Sequence, residues 1–174
     1  MYNKDTINEI ADVVLKILEY ESPAYDPEEA VTKLHGQILN DIIDECEDAR
    51  IERAPENSNF KFIIHLNNNK PFYRTRFSLA HELGHLFLHM GYMTDRWTTA
   101  ETFQDSIYYR SYNRKDMNYS QEESEANEFA AAFLMPKKQF KESYINNKFN
   151  IELTAAEFQV SHDAAKNRAR NLGF

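Results

Sequence analysis

Residues Arg76–His89 read RFSLAHELGHLFLH. Phe77, Leu79, Ala80, Leu83, Leu86, Phe87 and Leu88 surround a helical axis almost completely, so the spacing predicts a helix over roughly Phe77–Met90 buried at a domain centre. His81, Glu82, His85 and His89 interrupt it. Polar groups in such a place cost on the order of 1 to 3 kcal/mol each when left unpaired, so they need a common partner.

His81, Glu82, Leu83, Gly84 and His85 form an H-E-x-x-H motif. One helical turn separates the two imidazoles, which therefore share a face and can ligate a single Zn2+, while Glu82 lies beside the ion, placed to take a proton from water. A catalytic zinc commonly has three protein ligands and one open position. A third His six residues beyond the second would supply the missing ligand in one known pattern, but that position is Gly91. His89 extends the stripe, yet at the rise of an α-helix it lies about 12 Å from His81, and it reads as a packing residue or a partner of a ligand.

The remaining source is the acidic run Glu122, Glu123, Ser124, Glu125, Ala126, Asn127. Carboxylates also gather at helix N-termini for dipole reasons alone. Glu123 and Asn127 are four apart and project together, so Glu123 is favoured as the third ligand, with Asn127 placed to orient an imidazole. Glu125, which shares its direction with Phe129, is the alternative.

Towards the amino terminus, Ile7, Ile10, Ala11, Val14, Leu15 and Leu18 mark an amphipathic helix over Thr6–Tyr20, and Asp26 caps a short helix that begins at Pro27 and runs towards Gly36. Phe60, Phe62, Ile64 and Leu66 alternate with Lys61 and His65 as in a strand. With a second strand near Ala49–Ala54 and a turn through Pro55–Ser58, they predict an antiparallel hairpin, whereas 38–56 as a whole is ambiguous. Tyr92–Ser120 lacks periodicity, as segments bordering clefts often do. A helix resumes near Glu122 and stops at Pro136, and two more are expected over Lys137–Asn146 and Ile151–Leu172.

The chain of 174 residues, 42% hydrophobic, is long enough for one folded domain. It carries no apolar run that reads as a membrane span or a signal peptide, and its lone Cys46 can form neither an internal disulfide nor a thiolate metal site. A cytoplasmic location is the expectation. The net charge of -8 disfavours broad contact with a phosphate backbone, so no direct nucleic-acid binding is expected. The basic candidate is Ala155–Phe174, where a Val160-Ser161 turn and Lys166, Arg168 and Arg170 permit a helix-turn-helix reading, with packing helices favoured over it. His35, His65 and His162 read as surface or packing residues.

RFSLAHELGHLFLH (Arg76–His89), followed by ESEANEFAAAFLMP (Glu123–Pro136), closely resembles the ImmA/IrrE family of metallopeptidases. The resemblance implies an α+β, minimal zincin-like fold: a small antiparallel sheet packed on a largely helical domain around a buried HExxH helix. The expected layout is a single metallopeptidase domain over 1–174, with N-terminal helices in 1–37, the zincin-like core in 38–136 and C-terminal helices in 137–174. It further implies Zn2+ held by His81, His85 and Glu123, with Glu82 as the catalytic acid and base. Similar proteins act as antirepressors, so the implied function is a zinc endopeptidase that cleaves or inactivates a DNA-binding repressor, typically a helix-turn-helix protein encoded nearby. The alternative is a module that keeps a structural metal and sequesters a repressor without cutting it. Tyr108, Tyr109, Tyr112, Arg110 and Arg114 are open candidates for a second electrophile.

Overall fold

The computed structural model describes residues 2–21, 23–94, 96–97 and 121–174, together with the backbone of 107–108 and 117–120. In chain order the elements are α1 (Lys4–Ile17), α2 (Pro27–Lys33), β1 (Gly36–Leu39), β2 (Ala49–Arg53), β3 (Phe62–Leu66), α3 (Phe72–Leu88), β4 (Ile107–Tyr108), α4 (Met117–Leu134), α5 (Lys137–Asn146), α6 (Ile151–Phe158) and α7 (His162–Asn171). This is the expected α+β fold. None of the helices among the described residues is long and apolar enough to cross a membrane.

Local chemistry starts several of the helices. The Asn3 side chain accepts from the Thr6 amide at the head of α1, Asp26 accepts from Glu28 ahead of Pro27, and Asn150 and Ser161 cap α6 and α7. Pro71 precedes α3, which begins one turn earlier than its apolar stretch predicts. Met117 rather than Glu122 begins the backbone of α4, so Glu122–Glu125 lie inside the helix and not at its dipole end. The C-terminal segment expected as one helix is divided at Gln159, which adopts a left-handed conformation (φ 51°) at the end of α6.

The sheet order is β1-β3-β2-β4. Strands β2 and β3 form the expected antiparallel hairpin, with Ile51 opposite Ile64, and the two-residue β4 continues it antiparallel to β2. The sheet is nevertheless mixed rather than wholly antiparallel, because β1 joins β3 in parallel, Gly36 opposite Phe62. A Cβ on Gly36 would collide with the Phe62 ring, so this close pairing depends on the glycine.

Ile51, Phe62 and Ile64 from the sheet join Leu79, Leu83 and Leu86 of α3 and Phe129 and Phe133 of α4 in one fully buried core. Helix α1 adds Ile7, Ala11, Val14 and Leu15. Burying side chains of this size is worth about 1.5 to 3 kcal/mol each, and the sum holds α3 rigid between the sheet and α4.

Candidate metal centre

Gly84, between the two histidines of the motif, sets the distance between α3 and α4. A Cβ there would lie 3.0 Å from Ala126 Cα and 3.2 Å from Phe129 Cβ, so the helices touch backbone to backbone at this point. The approach carries Glu123, three residues before Ala126, to the imidazoles. Glu123 Oε2 lies 3.4 Å from His81 Nε2 and Oε1 lies 3.2 Å from His85 Nε2. His81, Glu82 and His85 are all buried.

These three side chains offer ligand atoms that all lie within 4.8 Å of one another. His81 Nε2 and His85 Nε2 are 3.0 Å apart. His81 Nδ1 is 2.9 Å from Asn127 Oδ1, and a carbonyl oxygen can only accept, so Nδ1 carries the proton and Nε2 presents a lone pair. Glu123 Oε1 is buried and accepts no hydrogen bond among the described residues. Lone pairs converging at this range are mutually repulsive without a cation between them, and two imidazoles with one carboxylate are a donor set suited to Zn2+.

Electrostatics point the same way. Burial pushes the His85 imidazole down to about 3, so it is neutral and able to ligate at neutral pH.

The alternative carboxylate, Glu125, is outside this cluster. Its Oε2 is 3.2 Å from His89 Nε2, and His89 Nδ1 is 2.9 Å from His85 Nδ1. His89 is therefore a partner of a candidate ligand, one of its two expected roles. Glu82 follows His81 directly, is 3% exposed, and has partners among its neighbours.

A cavity of about 510 Å3 opens beside His81 and Asn127, walled by Tyr73, Phe77, Val160 and Ala164. Part of that wall is the α6–α7 turn, tied to α3 by Arg76 Nε, which donates to Gln159 O at 3.2 Å. Arg168, one of the three residues behind the helix-turn-helix reading, is 2% exposed and faces inward. It donates to Met135 O at 2.9 Å and Glu128 Oε1 at 3.0 Å, so it is committed to packing and not to phosphate. His65 is buried beside Asp41, with Nδ1 2.8 Å from the carboxylate. Of the candidate electrophiles, Tyr109, Arg110, Tyr112 and Arg114 lie outside the described residues, and for Tyr108 only the backbone in β4 is described.

Sequence reasoning missed two parts of this region: the reach of Tyr2 to Glu125, whose Oε1 accepts from the Tyr2 amide at 3.0 Å, and the inward turn of Arg168. Both span more than thirty residues, and neither leaves a periodic signal.

No curated protein matches the chain. Among solved structures, a Mycobacterium tuberculosis transcriptional regulator shares the fold with a TM-score of 0.63 at 15% identity, over 96% of this chain. The present chain spans 46% of that protein's length. The Peptidase_M78 model, described as the IrrE N-terminal-like domain, matches residues 46–170, taking in the sheet strands β2 and β3, the H-E-x-x-H helix, Glu123 and nearly all of α7. That match covers well over half of the sequence, and the chain belongs to the family of IrrE N-terminal-like domains.

Proposed function

We propose that the protein is a zinc-dependent endopeptidase, a single metallopeptidase domain over 1–174 that cleaves or otherwise inactivates a DNA-binding regulator. Membership of Peptidase_M78 points to peptidase activity in general. The observation that carries the finer reading is the convergence of His81, His85 and Glu123 within 4.8 Å, with Glu82 adjacent on the same helix. A site that only stabilised the fold would need no general base next to it.

His81, His85 and Glu123 would hold the metal, which when bound supplies a Lewis acid for the scissile carbonyl and acidifies water. Glu82 accepts the proton of the attacking water and delivers it to the departing amine nitrogen, so peptide and water balance as acid and amine without a covalent intermediate. Asn127 holds the His81 ring in the tautomer whose Nε2 carries the lone pair that a metal would take. The cavity beside His81 would receive substrate side chains, and its Tyr73 and Phe77 walls favour apolar ones. The protein partner we propose is a helix-turn-helix repressor encoded nearby, a reading in keeping with the structural neighbour being a transcriptional regulator.

Glu82→Gln tests this function. The amide keeps the size of the side chain but cannot take the proton, so zinc content, fold and regulator binding should stay while cleavage falls on the order of a hundredfold or more. A fragment gel beside a binding titration reads both. If the wild type and Glu82→Gln relieve repression equally and neither yields fragments, the protein acts by sequestration.

A further inference from the structure

The second histidine of the motif is supported by a chain of contacts that ends at the amino terminus. Glu125 is 7% exposed and, as a carboxylate, can only accept. Its Oε1 takes the Tyr2 amide at 3.0 Å and Gln121 Nε2 at 2.9 Å, and its Oε2 faces His89 Nε2 at 3.2 Å. The proton of His89 therefore sits on Nε2, and its Nδ1 accepts from His85 Nδ1 at 2.9 Å. That contact in turn strips His85 Nε2 of its proton on the side facing His81 and Glu123. Loss of His89 Nδ1 as the acceptor would remove the contact that keeps the His85 proton on Nδ1 and away from the ligating Nε2.

Tyr2 is held in place independently. Asn3 caps α1, and that helix is pinned to α4 and α7 through Asn8, which donates to Glu128 Oε1 at 3.1 Å and accepts from Arg168 Nη2 at 2.6 Å. We infer that the Tyr2 amide, acting through Glu125 and His89, is a working part of the metal centre, so that the amino-terminal segment tunes how tightly the metal is held. The inference rests on reading His81, His85 and Glu123 as the ligands. Glu125 and His89 are then positioning residues for His85, and the segment before α1 is a point at which metal affinity can be altered without touching a ligand.

Zinc affinity of the full chain, measured by competition with a chromophoric chelator, tests this, with the visible spectrum of the Co2+-loaded protein as a second readout. His89→Ala should weaken zinc binding by about ten- to a hundredfold, the usual range for partners of metal ligands, and Glu125→Ala by about tenfold. Tyr2→Pro removes the amide donor and should weaken binding roughly threefold, whereas Tyr2→Ala keeps the amide and should match the wild type. In a His89→Ala background Tyr2→Pro should have no further effect, because the link it acts through is gone. The Co2+ spectrum of Tyr2→Pro should move towards that of His89→Ala. Phe140→Leu, at a buried ring packed on Tyr144 and Phe158 and outside this chain of contacts, is the control for folding: it should lower the melting temperature and leave zinc affinity unchanged.

Equal affinity in Tyr2→Pro and Tyr2→Ala overturns the inference, as does a Tyr2→Pro effect that persists undiminished without His89, and in both cases the ligand assignment stands. A wild-type chain that binds no zinc overturns the inference and the ligand assignment together.

Discussion

Glu123 and Glu128 stand five residues apart on α4, turned to different sides of the helix, and they meet very different partners. Glu128 faces a cation that belongs to the chain: Arg168 Nη1 donates to it at 3.0 Å, and Asn8 adds a second donor at 3.1 Å. Glu123 faces two imidazoles, one of which burial keeps neutral, and its Oε1 accepts no hydrogen bond among the described residues. The first carboxylate is complete within the fold. The second belongs to a donor set that could hold a cation from outside, and on the proposed function this difference separates a charge that serves packing from one that serves chemistry.

Removing one member from each pair should break the protein in different ways. The largest effect is expected for Arg168→Ala, which removes a fully buried side chain and its bonds to Met135 O and to the half-buried Glu128: unfolding free energy should fall by about 3 to 5 kcal/mol in denaturant titration, with zinc content kept in the fraction that folds. Glu123→Ala should do the reverse, losing nearly all bound zinc by elemental analysis while metal-free unfolding stays within about 1 kcal/mol of the wild type. Zinc removal by a chelator should lower the stability of the wild type by about 2.7 kcal/mol relative to protein in zinc at a hundred times its dissociation constant, and leave Glu123→Ala unmoved. The smallest effect is Gly84→Ala, at about 1 to 2 kcal/mol, because the added methyl would sit 3.0 Å from Ala126 Cα and push Glu123 away from the histidines. A Gly84→Ala protein that keeps full zinc affinity would show that the site tolerates a wider helix spacing.

The two long helices of the site were legible in the sequence because each carries its signal locally: His81 and His85 one turn apart, and Glu123 and Asn127 four apart on one face. Strand β1 was not, since Gly36–Leu39 is four residues long with no alternation, and its parallel partner β3 lies beyond the intervening β2. The first turn of α3, Phe72–Arg76, carries exposed Phe72 and Tyr73 and no capping side chain, so an apolar pattern alone started that helix too late. The break at Gln159 falls just before the Val160-Ser161 turn of the less favoured helix-turn-helix reading, at a residue with no intrinsic preference for a left-handed conformation, held there through its carbonyl by Arg76. Glu125 illustrates the same limit within the site. Its direction along α4 was readable, but its connection to His89 depends on how two helices cross, and its connection to Tyr2 on where a third one docks.

Gly84 also bears on how such a centre could be transplanted. Copying the five residues from His81 to His85 into another helical protein would import two ligands and a base, but not the third ligand, whose reach is dictated by an axis separation that only a glycine against a small neighbour such as Ala126 allows. A host scaffold would have to be selected first for a helix pair crossing at that contact, and the ligands written onto it afterwards.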